Sequence, residues 1–256
     1  MEGFDIGLMA LYLLIGFLAQ LIDGSMGMAY GVSCNTFLRS FAGMPASVSS
    51  ACIHFAEVFT TFASSISHIS FKNVSKDMVL KLLIPGVVGG VLGAYVLADF
   101  YSEMWDPFID AYLLIMGFVV LSKLFKKKKK ERKPGKALYP LGFIGGFSDA
   151  IGGGGWGPMV TSTMVATDHD VKKTIGSVNT TEFFVTLAQS ITFFAVMQAE
   201  FMKYSVVLLG LIIGGIIAAP LAALIMKKVP VNILLVVVGS LIIGLNGYSL
   251  ITWFIG

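Results

Sequence analysis

Charge is scarce in this sequence. Asp, Glu, Lys and Arg make up 13 % of its 256 residues, against about 25 % in soluble domains, and 56 % are hydrophobic. So little polar surface cannot coat a water-facing globule, and the composition therefore reads as an integral membrane protein. Cysteine is nearly absent too. Cys34 and Cys52 are isolated, with no Cys-x-x-Cys spacing, which argues against a disulfide framework or a redox site and leaves two buried structural thiols. Catalytic signatures are also missing. Neither His-Glu-x-x-His nor Gly-x-Ser-x-Gly occurs, so the chain is not expected to be an enzyme, and no cofactor and no bound metal is expected. The first residues, Met1 to Ile6, lack the basic stretch of a cleaved signal peptide.

The basic residues present are unevenly spread. Eight of the eighteen Lys and Arg fall between Lys126 and Lys136, and the rest of the chain is mildly acidic. Such a cluster fits a cytoplasmic loop near anionic lipid, and no nucleic-acid partner is expected. The hydrophobic segments run over 6–22, 24–38, 48–70, 78–98, 107–125, 138–151, 156–167, 174–198, 204–226 and 231–253. They are continuously apolar, without the two-residue alternation of a membrane barrel strand, so helices are expected. The fold class is an all-α polytopic membrane protein.

Two pairs of segments are short and divided by glycine: the first at Asp23-Gly24-Ser25-Met26-Gly27, the second at Asp149-Ala150-Ile151-Gly152-Gly153-Gly154-Gly155. Each reads as a broken helical hairpin. Sliding the chain along itself by 126 residues lays Gly16–Gly31 over Gly142–Gly157, and at 125 residues Glu57 lies over Glu182 and Gly89-Gly90 over Gly214-Gly215. An Asp and a Glu matched among so few charges indicate a duplication. The expected organisation is a first repeat over 1–125 (hairpin 6–38 plus three helices), a basic linker over 126–137 and a second repeat over 138–256 (hairpin 138–167 plus three helices). With the linker cytoplasmic, the segment carrying Asp99, Glu103, Asp106 and Asp110 but no Lys or Arg falls outside, Lys72, Lys76 and Lys81 inside, and both termini outside. The two repeats then have inverted topology in the cell membrane, inner or plasma.

Inverted repeats with helices broken at matching positions point to an alternating-access secondary transporter that binds its substrate where the breaks meet. Unhindered backbone N–H groups at the start of a returning half-helix suit an anion. Gly153, Gly154, Gly155 and Trp156 offer them in the second half, Ser25 and Gly27 in the first. Asp23 and Asp149 sit at the ends of the entering arms. A charged carboxylate at that depth costs about 2.5–3.5 kcal/mol, and two roles remain open: capping the next half-helix, or carrying a coupling proton or Na⁺. Glu57 and Glu182 lie midway along apolar helices and are candidates for the same ion coupling. His54 and Asn179 stand one turn before them, and Thr180 and Ser190 extend the polar face, so these four join the expected substrate-binding set. A His at one position and an Asn at its equivalent argue against a metal cage. Arg39 reads as a solvated loop residue.

The twin motifs Gly16–Gly31 and Gly142–Gly157, with the basic linker between two four-segment halves, resemble the sulfite exporter TauE/SafE family of small duplicated permeases. The resemblance implies transport of a small sulfur-containing or organic anion, such as sulfite, sulfoacetate or a related sulfonate, coupled to an ion gradient. Its partners would be the small anionic substrate, a coupling proton or sodium ion, and membrane lipid. A homo-oligomer is compatible with the sequence. The alternative is a cation transporter in which Asp23, Asp149, Glu57 and Glu182 ligate Na⁺ or a divalent metal.

Overall fold

The computed structural model describes residues 6–26, 28–122, 134–167, 169–197, 201–225 and 231–255, so most of the basic linker and Gly27 lie outside it. The described residues form ten α-helices and no strand: α1 Ile6–Met26, α2 Tyr30–Ala42, α3 Ala46–Ser70, α4 Lys76–Phe100, α5 Asp106–Ser122, α6 Leu138–Gly152, α7 Ser162–Ala166, α8 Val171–Met197, α9 Ser205–Ile225 and α10 Val231–Ile255. A π-helical turn, Gly157–Thr161, leads into α7. Among the described residues four helical stretches are long and apolar enough to cross a membrane: Gly7–Gly24, Lys76–Phe100, Glu103–Ser122 and Lys172–Met197.

Side chains are arranged inside out relative to a soluble protein. On α4, Leu80, Ile84, Val88 and Leu92 recur one turn apart and are exposed, Ile84 by 69 %. Meanwhile Ser49, Ser50, Asn35, His54, Thr181 and Gln189 are fully buried. An apolar exterior around a polar centre is stable where the solvent is lipid, and it identifies a multi-pass membrane protein.

The first break falls later than the sequence suggests. α1 runs on through Asp23, Gly24 and Ser25 to Met26, and the chain reverses at Met28-Ala29. Ala29 takes a left-handed conformation with φ 86°. At the second break α6 holds Asp149 in its last turn, and Gly153 closes the helix at φ 60° with its N–H on the Asp149 carbonyl.

Packing joins the halves of the chain. α1 lies against α9, α6 against α4, α3 against both α8 and α9, α8 against α4, and α5 against α10. The tightest crossings run backbone to backbone over small residues, as expected where lipid provides no hydrophobic drive between helices. A Cβ on Gly142 would strike the Leu82 backbone, and one on Gly89 the Phe143 backbone. In the other pair Gly16 abuts Leu211, and Gly214 abuts Leu13.

Candidate functional site

The two breaks cross. Gly31, in the first turn of α2, meets Gly154 so closely that a Cβ on Gly31 would stand 2.5 Å from the Gly154 Cα. Asn35, one turn further along α2, donates from Nδ2 to the Gly152 carbonyl at 2.5 Å and accepts from Ser49 Oγ at 2.6 Å. Ser50 Oγ donates to the Ala150 carbonyl at 2.6 Å. The backbone carbonyls freed by the second break are therefore satisfied from α2 and α3, across the halves.

Carboxylates take the N–H groups. Trp156 N–H donates to Asp149 Oδ1 at 2.8 Å, and the backbone of Tyr30, at the matching position in the first half, hydrogen-bonds Asp23. The Gly31 backbone serves Glu57. Asp149 Oδ2 also accepts from Gln189 Nε2 at 3.0 Å and lies 3.1 Å from His54 Nε2. Asp23, Glu57, Asp149 and Glu182 are exposed by 4, 3, 2 and 5 %. Glu182 interacts electrostatically with the other three, so the four form one cluster. Among the described residues no Lys or Arg is buried beside it, and no group of three or more His, Cys, Asp or Glu is placed to hold a metal ion.

Several buried polar atoms have no partner: Glu57 Oε2, Glu182 Oε2, Asn179 Oδ1, Ser190 Oγ, Gln189 Oε1 and the Tyr112 hydroxyl. Buried polar atoms are nearly always satisfied in native proteins, so these six are candidates for contact with a ligand, a proton or water.

Not every expected residue joins the crossing. Thr180 donates to the Gly176 carbonyl and lines a separate cavity of about 510 Å³ with Lys72 and Lys76. The Trp156 indole packs against Gly86 and Gly145 and donates to the Val178 carbonyl at 3.3 Å, so its contribution to the crossing is its backbone N–H. Gly27 and the Ser25 side chain lie outside the described residues. Asn179 is buried on α8, and its Nδ2 donates to the Ile175 carbonyl.

Two features escape a reading of the sequence. Tyr112 of α5 reaches Gly152 and Gly155 in the second break, and its ring also lines a cavity of about 510 Å³ with Trp105, Phe108 and Ile151. Arg39 is not a solvated loop residue: it pairs with Asp110 and, at 3.1 Å, with Asp106, and Ser249 Oγ donates to Asp110 at 2.6 Å. That network ties α2 to α5 and α10 beside a cavity of about 760 Å³. A lone Asn35 and a lone Arg39 in apolar surroundings are the only hints the sequence holds.

The sulfite exporter TauE/SafE family model matches residues 12–248. The chain is 42 % identical over 248 residues to the probable membrane transporter protein YtnM of Bacillus subtilis (strain 168), covering 94 % of this chain and 82 % of that protein. No solved structure matches. With broken helices meeting at a buried carboxylate cluster inside an apolar shell, and with a family match over nearly its whole length, the chain belongs to the sulfite exporter TauE/SafE family of membrane transporters.

Proposed function

We propose that this protein is a secondary transporter moving a small sulfur-containing or organic anion, of the sulfite, sulfoacetate or sulfonate class, across the cell membrane by alternating access coupled to a proton or sodium gradient. The observation that carries the reading is that two helix starts meet at one buried point and each already donates to a carboxyl group. Those groups belong to the protein's own Asp23, Glu57 and Asp149. A helix N-terminus suits any small oxyanion. When a carboxylate is neutralised by a proton or Na⁺, its N–H partners become available to the substrate, and Asn, Ser and Tyr groups with spare hydrogen-bonding capacity complete the shell. Entry of the coupling ion and binding of the anion are thereby linked.

Alternating access needs two related halves. We take residues 1–125 and 138–256 as inverted repeats joined by the cytoplasmic linker 126–137, with both termini outside. Helix packing supports this. Exchanging α1 with α6, α3 with α8 and α4 with α9 turns the α1–α9 contact into α6–α4 and the α3–α9 contact into α8–α4, while α3–α8 and α5–α10 map onto themselves. That is the behaviour of a pseudo-two-fold axis through the crossing.

A thermal-shift screen of the purified protein tests the reading. A ligand at a hundred times its Kd stabilises by about 2.7 kcal/mol. Sulfite or sulfoacetate should raise the melting temperature while divalent metal chlorides do not. Stabilisation by metal ions with none by any anion would favour the cation transporter and overturn the anion reading.

A further inference from the structure

His54 sits fully buried on α3, one turn before Glu57, and its neighbours fix where its hydrogens are. Nδ1 lies 2.7 Å from the Ser50 carbonyl oxygen and 3.2 Å from Ser50 Oγ. The carbonyl can only accept, and the Ser50 hydroxyl hydrogen is already given to the Ala150 carbonyl, so Nδ1 carries a hydrogen and donates it. Nε2 faces Asp149 Oδ2 at 3.1 Å. A neutral imidazole with its hydrogen on Nδ1 has only a lone pair on Nε2, and an ionised carboxylate has only lone pairs. Two lone pairs at that distance repel. The link therefore holds one proton, either on Nε2 of an imidazolium or on Oδ2 of a neutral acid.

We propose that the His54–Asp149 pair carries a coupling proton, and that this proton latches α3 of the first half to α6 of the second. The proposal deepens the anion-transport reading and rests on it for its consequence. Side-chain bonds that cross between the halves around the second break include Asn35 to Gly152, Ser50 to Ala150 and His54 to Asp149 among the described residues. The third alone contains titrating groups. Release of its proton leaves Asp149 with the Trp156 N–H and Gln189, both of its own half, and separates the second hairpin from α3 at this point. In the other half Asn179 replaces His54 and cannot take up a proton, so the latch is one-sided.

Among the described residues the surroundings offer no competing cation. Phe193 of α8 lies beside the imidazole with ring centroids 5.8 Å apart. Gln189 of α8 is neutral, and the other titrating groups that reach Asp149 are Glu57 of α3, Glu182 of α8 and Tyr112 of α5. Asp23 of α1 reaches Glu57 and Glu182. All are acids, and none is a Lys or Arg. A proton entering the cluster therefore finds in His54 its single basic side chain among the described residues.

The test uses the full chain, labelled with ¹⁵N-histidine, in lipid nanodiscs. The chain has three histidines, and His68→Gln and His169→Gln assign the His54 signals by elimination. Nδ1 should stay protonated across the pH range while the Nε2 signal shifts in one step as the proton shared with Asp149 leaves, and Asp149→Asn should move that step. A bare Nδ1, or a step indifferent to Asp149→Asn, would overturn the proposal. A second readout is sulfite flux in proteoliposomes against pH. The wild-type rate should follow the NMR step; His54→Gln, whose amide donates permanently to Asp149, should give a lower rate with no pH step. Retention of the wild-type pH profile by His54→Gln would sink the proposal. Failure of the wild type to move sulfite would remove the anion reading, while the NMR result still decides the state of the pair.

Discussion

Gly31 and Gly154 touch backbone to backbone, and this contact sets the distance between the two helix breaks. Neither side can yield, because a Cβ on Gly154 would run into the Gly31 carbonyl carbon and the Val32 nitrogen, and Gly154 has φ 133°. Gly31→Ala and Gly154→Ala should each destabilise by about 1–3 kcal/mol, read as a lower melting temperature in detergent. Gly43→Ala is a useful control, since its φ of 59° disfavours a side chain but no atom lies within 4 Å of the new Cβ. It should cost only the backbone strain, about 1–2 kcal/mol.

Glu57 and Glu182 each keep one carboxylate oxygen without a partner inside the protein. Glu57→Gln and Glu182→Gln preserve volume and most hydrogen bonds while removing the ability to ionise. Both variants should purify as folded protein and lose gradient-driven transport at least tenfold. Unchanged accumulation in proteoliposomes by either would exclude that residue from ion coupling.

Arg39 and Asp110 are paired with side chains 11 and 6 % exposed. Arg39→Met alone leaves Asp110 without its cation and should cost about 3 kcal/mol, whereas Arg39→Met with Asp110→Leu should recover much of it. The melting temperatures of the two variants decide this. Nearby, burial first and the hydrogen bond to Asp106 second push the Tyr101 phenol up to about 12, from an ordinary value near 10. The folded value lies above the unfolded one, so the contribution of Tyr101 is complete below about pH 10 and is lost as pH rises through about 12. Tyr101→Phe should flatten that alkaline loss in melts recorded against pH.

The helix pairs that the proposed repeat relates are not in the same register. Gly89 abuts Phe143, but its equivalent Gly214 abuts Leu13, whose own equivalent is Tyr139. Likewise Gly142 abuts Leu82, whereas Gly16 abuts Leu211, the equivalent of Gly86. Both comparisons differ by four residues, about one helical turn or ~5.4 Å. If the transport cycle exchanges the conformations of the halves, α6 slides one turn along α4 while α1 slides oppositely along α9. Spin-label distances between α4 and α6 should show two populations separated by about 5 Å along the axis, shifted by substrate. A single population under all conditions would contradict the exchange.

Long apolar runs made the helices legible in the sequence, and the matched Asp and Glu pairs marked the centre. The first break was misplaced because Gly24 was read as a stop. Glycine costs only about 1 kcal/mol in a helix, and α1 carries through it to turn at Ala29. The bonds that assemble the site were out of reach for a different reason. His54 and Asp149 are 95 residues apart, Asn35 and Gly152 117, and Arg39 and Asp110 71, and no local pattern encodes such partners. Nor does a local pattern show that the Trp156 ring packs against Gly86 and Gly145 while its backbone N–H turns to Asp149.

The most direct measurement of the central claim is simultaneous sulfite and proton flux in proteoliposomes containing the wild-type chain, with the membrane potential clamped. An imposed pH gradient should drive sulfite against its own gradient, sulfite alone should move protons across the membrane, and both fluxes should vanish together in Glu57→Gln. Sulfite and related sulfonates that neither move nor alter internal pH, with divalent metal ions moving in their place, would contradict that claim.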